Sequence, residues 1–195
     1  MKERTDRTDR TQDRTTMTAS KGLQGVREAA QKDKGLRFTT LLHHVNEGLL
    51  LDSFYLLKKQ AAPGVDRVTW SDYEEGVEGR IRDLHDRVHR GAYRAQPSRR
   101  VYIPKPDGRQ RPLGIAAVED KIVQQAVVTV LNQIYEGDFD GFSYGFRPGR
   151  SAQDGLDSLT AGITMKKVNW IPDADIKGFF DNISHEKLRE LSGCG

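Results

Sequence analysis

Cysteine occurs once in the 195 residues, at Cys194. A single thiol makes no intrachain disulfide and leaves no thiolate set for zinc, so both staples are excluded and a reducing cytoplasm is the expected setting. Long apolar runs are missing as well, since nothing approaches the roughly 18 residues of a membrane span. The opening MKERTDRTDRTQDRTTMTAS also lacks the apolar centre of a secretory signal. The expectation is a soluble, cytoplasmic chain without a membrane partner. Those twenty residues repeat an Arg-Thr-Asp theme with no apolar periodicity, and Asp6, Asp9 and Asp13 nearly cancel the arginines. Residues 1–20 therefore read as a disordered, solvated tail rather than a basic RNA-binding arm.

What remains is long enough for one ordinary core, or for a small domain and part of another. The net charge is +3 and the sequence pI is near 9.0. From Arg80 to Arg111 there are ten Lys/Arg and three Asp/Glu, or +7, which leaves the rest of the chain at −4. Such a cluster is the footprint of a phosphate-bearing partner, although a solvated helix face gives similar counts.

Periodicity predicts a mixed α and β chain. Leu41, Leu42, Val45, Leu49, Leu56 and Leu57 form a helical stripe within residues 38–59, broken by Ala62-Pro63-Gly64. Ser71 and Glu74 form a capping-box pair ahead of Tyr73, Val77, Ile81, Leu84 and Val88, which predicts a helix over 72–90. Its outer face carries Arg80, Arg82, Arg87 and Arg90, while His85 and His89 lack a third metal ligand and read as surface residues. RRVYIPKPDGRQRPLGI predicts a β-hairpin turning at Pro106-Asp107-Gly108. Val118 to Tyr135 is a second amphipathic helix, Ser151 with Asp154 opens a third that runs to Met165, VNWIPDADI is a short strand, and Ser184 caps a last helix.

Three stretches carry chemistry. An aspartate at the carboxyl end of a strand and ahead of a Gly turn, as Asp175 is before Gly178, projects a carboxylate where Mg²⁺ can bind; a purely structural turn gives the same pattern. Lys105 and Arg111 flank the hairpin turn as a point charge and a planar fork suited to a triphosphate, or decorate an exposed hairpin. Arg147 and Arg150 bracket Pro148-Gly149 before a helix N-terminus, where a phosphate could dock; equally, Tyr144 and Phe146 could pack in a core with Arg147 in an internal salt bridge.

RVYIPKPDGRQRPLGI, SYGFRPGRSAQDGL and ADIKGFFDNISH, in that order, resemble the reverse transcriptases of bacterial group II introns, the maturase family, and AAPGVDRVTW resembles the block ahead of their fingers. The resemblance covers Phe38 to Leu191. It implies an α+β fold that is the start of a right-hand polymerase: a helical N-terminal extension at 21–70, fingers at 71–167 and an incomplete palm at 168–195. It also implies roles for individual residues. Asp175 would be the first metal-binding aspartate and the carbonyl of Ile176 a backbone ligand. Gly178 and Phe179 would face the triphosphate with their N–H groups, Phe180 would lie under the sugar and reject a 2′-hydroxyl, and Lys105 and Arg111 would bind the incoming nucleotide. Asp181 is expected to cap or hydrogen-bond locally.

In the complete enzyme two Mg²⁺ about 4 Å apart would activate the primer 3′-hydroxyl and neutralise the leaving pyrophosphate. The partners implied are group II intron RNA, an RNA template with a DNA primer, and dNTP. A second reading is a non-catalytic RNA-binding maturase module, gripping RNA through Arg80, Arg87, Arg90 and the Arg147/Arg150 loop. A nucleotide cyclase explains neither the hairpin nor the Arg-Pro-Gly loop.

A palm sheet needs several strands, and only one is evident, so the last thirty residues are expected to be loosely held. In the family the further carboxylates lie in a Tyr-Ala-Asp-Asp hairpin, a segment that these 195 residues do not contain. With one aspartate of three, this chain alone is expected to incorporate no nucleotide. Primer extension with RNA template, DNA primer, dNTP and Mg²⁺ checks this; template-dependent product that Asp175→Ala abolishes would overturn it.

Overall fold

The computed structural model describes residues 21–104, 106, 108–176, 178, 179 and 182–191. The expected tail at 1–20 lies outside the described residues, as do Lys105, Phe180, Asp181 and Cys194. The helices are α1 (Lys21–Lys32), α2 (Glu47–Leu56), α3 (Trp70–Glu74), α4 (Val77–His89), α5 (Val118–Tyr135), α6 (Ala152–Met165) and α7 (His185–Leu191), with a 3-10 turn at Leu42–His44. Strands β1 (Arg99–Pro104) and β2 (Gln110–Ile115) form the two-stranded sheet found among the described residues. No helix among them is long and apolar enough to cross a membrane.

The chain falls into two compact units, residues 21–34 with 40–134 and residues 35–39 with 135–191. The first unit carries the core. Leu50 and Phe54 of α2, Trp70 and Tyr73 of α3, Ile81 and Leu84 of α4, and Val118, Ile122, Ala126 and Val130 of α5 close on one another, joined by Leu23 and Val45. Phe54 and Trp70 stack at 4.7 Å, and the indole N–H donates to the Phe54 carbonyl at 3.3 Å, so the one polar atom of that ring is satisfied inside the core.

Local chemistry explains where the helices start. The predicted stripe over 38–59 yields a shorter helix because Asn46 caps it: its Oδ1 accepts from the Leu49 N–H at 2.9 Å. The helix predicted over 72–90 is two helices. Its capping box is built by Thr69 and Asp72 rather than Ser71 and Glu74, with the Asp72 carboxylate accepting from both the N–H and the hydroxyl of Thr69 at 2.9 and 2.6 Å. Gly76 at φ +75° then breaks the run, a backbone state that costs side-chain-bearing residues about 1–2 kcal/mol.

The hairpin appears as expected, antiparallel from Arg99↔Ile115 to Pro104↔Gln110. Its base is tied to the loop after α2. Arg99 donates twice to the Pro63 carbonyl, at 3.0 and 2.8 Å, and Lys121 of α5 donates to the Ala62 carbonyl at 2.9 Å. Gly64 is buried there so tightly that a Cβ would come within 2.5 Å of Ala117 Cα and 2.6 Å of its nitrogen. Burial also orders the segment before the hairpin: Asp120, 3% exposed, accepts from the Tyr93 hydroxyl and from the Gln96 N–H at 3.1 Å.

In the second unit Ser151 and Asp154 form the predicted capping box and α6 runs to Met165 as expected. The strand expected at VNWIPDADI does not form: residues 168–176 are exposed and unpaired by any strand among the described residues, and Trp170 is 89% exposed. A strand satisfies its backbone only against a neighbour, and these residues have none there.

The loop clamp carries a stability prediction. Gly64→Ala forces backbone against backbone and should cost about 3 kcal/mol, seen as a lower denaturant midpoint. Arg67 in the same loop sits at φ +60°, so Arg67→Gly relieves strain about as much as it loosens the unfolded chain and should leave that midpoint nearly unchanged. Equal midpoints for Gly64→Ala and the unmodified chain would contradict the packing described.

Candidate functional site

The hairpin sets one candidate group. Arg111 stands on β2 opposite Ile103 of β1 and is exposed; Lys105, its expected companion, lies just past the last paired residue of β1 and outside the described residues.

The arginines of α4 divide by what they touch. Arg87 lies between two carboxylates: Nη2 donates to both oxygens of Glu119 at 2.9 and 3.0 Å, and Nε donates to Asp83 at 2.7 Å. Glu119 also accepts from the Tyr73 hydroxyl at 3.4 Å, and burial with the adjacent Glu119 charge pushes that phenol well above its ordinary pKa. The Arg87 charge is thus paired within the chain, unlike that of its neighbours on the basic stripe. Arg80 and Arg90 are exposed and bond backbone carbonyls, those of Glu75 at 3.2 Å and Asp86 at 3.1 Å. Beside them His89 meets the Val45 carbonyl at 2.8 Å, and its ring lies tilted against that of His85 at 4.1 Å. His89 thus also ties α4 to the chain ahead of α2.

In the second unit the Arg147 loop had two readings, and the geometry is that of the internal ion pair. Its guanidinium, with the side chain 7% exposed, donates to Glu136 Oε1 at 2.7 and 3.1 Å, and to the carbonyls of Asp140 and Ser143 at 2.9 and 3.0 Å. Phe139 covers it from 4.9 Å. The Arg147 side chain is therefore turned away from solvent. Arg150 is half-buried, donates to the Gly141 carbonyl at 2.5 Å and lies 5.2 Å over the Tyr144 ring. Of the two aromatics proposed for a core, Tyr144 packs against Gly155 and Ser158 of α6, while Phe146, at φ +58°, points fully into solvent.

Asp175 and Ile176 are exposed, Ile176 at 70%. The turn after them is held by a residue that sequence reasoning passed over. Asn182 donates through Nδ2 to the Gly178 carbonyl at 2.8 Å, and its N–H reaches the carbonyls of Gly178 and Phe179 at 3.2 Å. Gly178 sits at φ +63°, and a Cβ there would press on Asn182 Nδ2 at 3.0 Å. An Asn four residues after a turn Gly is the signal that could have found it. Phe179 is half-exposed, and Ser184 Oγ accepts from the Lys187 N–H at 3.3 Å to cap α7 as expected.

Mg²⁺ favours hard oxygen donors, and Asp175 with the Ile176 carbonyl supplies that type. The set is too small: among the described residues no three His, Cys, Asp or Glu come together. These residues fit one wall of a metal site and not a site.

Residues 103–191 match the family described as reverse transcriptase (RNA-dependent DNA polymerase), a span that runs from β1 to the end of α7. The chain is also similar to Protein YkfC of Escherichia coli (strain K12), at 35% identity over 166 residues, covering 82% of this chain and 44% of that protein. It is 41% identical over 116 residues to the group II intron-encoded protein LtrA of Lactococcus lactis subsp. cremoris, covering 59% of this chain and 18% of LtrA. An uncharacterized 91 kDa protein in the cob intron of Schizosaccharomyces pombe is 34% identical over 151 residues, covering 75% of this chain and 18% of its own. The chain thus spans less than half the length of each of these relatives.

The two internal arginines should act on folding. Removing one member of a largely buried ion pair strands the other, so Arg147→Ala should cost about 3 kcal/mol and Arg87→Ala, whose partners are more exposed, about 1–2 kcal/mol. Thermal unfolding measures both. Unchanged melting with a large loss of RNA affinity would instead assign them to a nucleic-acid surface.

Proposed function

We propose that this chain, a member of the reverse transcriptase family related to group II intron-encoded proteins, supplies the nucleotide-binding fingers and the first metal-binding aspartate of an RNA-directed DNA polymerase. One observation carries the proposal: a single family match spans residues 103–191 and so includes the tip and second strand of the hairpin, with Arg111, and the turn after Asp175. In this reading residues 21–70 are the N-terminal extension, 71–167 the fingers and 168–195 the beginning of the palm. The full-length activity copies RNA template onto a DNA primer from dNTP, and intron RNA is its partner.

The roles follow from the chemistry of the side chains. The fork of Arg111, with the ammonium of Lys105 six residues before it in the sequence, binds the triphosphate oxygens. The N–H groups of Gly178 and Phe179 serve the same anion. Phe180 excludes a ribose 2′-hydroxyl by contact. Asp175 and the Ile176 carbonyl contribute oxygen donors to Mg²⁺, the metal expected of such a polymerase. Among the described residues no group of His, Cys, Asp or Glu completes this donor set, and this reading takes the remaining carboxylates from the Tyr-Ala-Asp-Asp segment of the family.

The competing module reading leans on the basic face of α4, and there Arg87 is neutralised by Glu119 and Asp83. The polymerase reading loses nothing by that pairing.

A chimera tests it. Exchanging the 116-residue aligned segment of LtrA for its counterpart here should leave template-dependent DNA synthesis in place. Asp175→Ala in the chimera should abolish it. A folded chimera that binds RNA and synthesises no DNA would count against the polymerase reading.

A further inference from the structure

One side chain closes the turn after Asp175. Asn182 gives two N–H groups to a single acceptor: its Nδ2 reaches the Gly178 carbonyl at 2.8 Å, and its backbone N–H reaches the same oxygen at 3.2 Å. A carbonyl oxygen has two lone pairs, so both are taken. The backbone N–H also lies 3.2 Å from the Phe179 carbonyl, a three-centre bond of the kind found at helix ends. Asn182 is not the cap of α7, because Ser184 fills that place by accepting from the Lys187 N–H at 3.3 Å. Asn182 is exposed as well, and an exposed hydrogen bond in exchange with water adds little to stability. What the contact fixes is direction.

The Gly178–Phe179 peptide is trans, and a trans peptide unit is planar with its C=O and the following N–H on opposite sides. With the Gly178 carbonyl drawn onto Asn182, the Phe179 N–H therefore points to the far side of the turn. Gly178 makes room for this: at φ +63° it holds a left-handed backbone, and the place a Cβ would fill lies 3.0 Å from the Asn182 amide nitrogen. Turns with a left-handed residue and outward N–H groups form anion-binding concavities from plain backbone. A carboxamide holds such a turn without adding charge, whereas an aspartate in its place would lack the donor and repel an anion.

We propose that Asn182 is a positioning residue for nucleotide binding: its side chain holds the Gly178 carbonyl and thereby fixes the Phe179 N–H on the face that receives the triphosphate. The inference rests on the polymerase reading for its ligand and adds a residue that touches neither the nucleotide nor the metal. Its contribution is preorganisation, since a donor already aimed needs no ordering when the anion arrives.

Two variants that differ by one hydroxyl test it. Asn182→Ser keeps a donor for the carbonyl four residues back, a reach that Ser53 and Thr129 show in this chain at 2.7 and 2.9 Å, and Asn182→Ala removes it. NMR titration of the 195-residue chain with sodium tripolyphosphate should shift the Gly178 and Phe179 amide resonances in the unmodified chain and in Asn182→Ser. In Asn182→Ala the affinity should fall about fivefold or more. In the LtrA chimera, made to carry residues 175–182, Asn182→Ala should raise KM for dNTP by a similar factor and leave kcat within about twofold, and Asn182→Ser should restore KM. Unfolding midpoints should match the unmodified chain in both variants; a loss of stability that accompanies the loss of affinity would make the role structural and overturn the proposal. Equal tripolyphosphate affinity in the two variants overturns it, as does a fall in kcat at unchanged KM. Resonances that do not move in the unmodified chain overturn it too, while DNA synthesis by the chimera would still stand as a separate result.

Discussion

Trp70 is the residue through which the first unit is assembled. Its ring stacks on Phe54 of α2, its N–H closes on the Phe54 carbonyl, and it begins the short helix that carries Tyr73 into the core. Tyr73 reaches Glu119 at the start of α5, and Glu119 holds Arg87 of α4. One buried indole therefore sets the relation of four helices, and the polar contacts that follow are possible because the apolar stack has already placed their backbones. The order matters energetically: burying a side chain of this size contributes about 2–3 kcal/mol, whereas a typical hydrogen bond nets about 1 kcal/mol.

The same stack governs where positive charge remains available. Arg87 is drawn onto Glu119 because α4 and α5 both pack on the core beneath it, so the part of the basic stretch that looked most like a nucleic-acid face is partly neutralised. On the other side of Trp70 the loop before α3 is fastened by carbonyl acceptors, which satisfy donors without cancelling charge. Two clamps of similar geometry thus have opposite electrostatic results. Composition alone, which counts Arg87 and Lys121 alike, cannot distinguish them.

Elements defined by their own neighbours were legible from sequence, and those defined by distant partners were not. The helix from Val118 to Tyr135, the Ser151 box and the hairpin all depend on contacts within a few residues, and each appears where its pattern predicted. Thr69-x-x-Asp72 and Ser71-x-x-Glu74 are overlapping signatures of the same helix start, and only the burial of Trp70 selects the first. The role of Arg147 turned on Glu136, eleven residues back. The segment 168–176 has a strand's composition and no strand's geometry, because pairing is a property of two segments. For the candidate site, the residues could be named from their motifs, but Asn182, which holds the turn, is marked only by its spacing from Gly178.

That turn separates two things that the role proposed for Asp175 needs. Position is local: Gly178 in its left-handed conformation and the Asn182 side chain, bonded to the Gly178 carbonyl, shape the loop after Asp175. Affinity is not. Asp175 is exposed, and in water two unit charges 4 Å apart attract by only about 1 kcal/mol, roughly double for a divalent ion, too little to hold Mg²⁺ against its own hydration. Binding needs further carboxylates that share the ion and exclude solvent around it. The geometry of this aspartate can therefore be encoded in ten residues, while its chemistry depends on groups that those residues do not include.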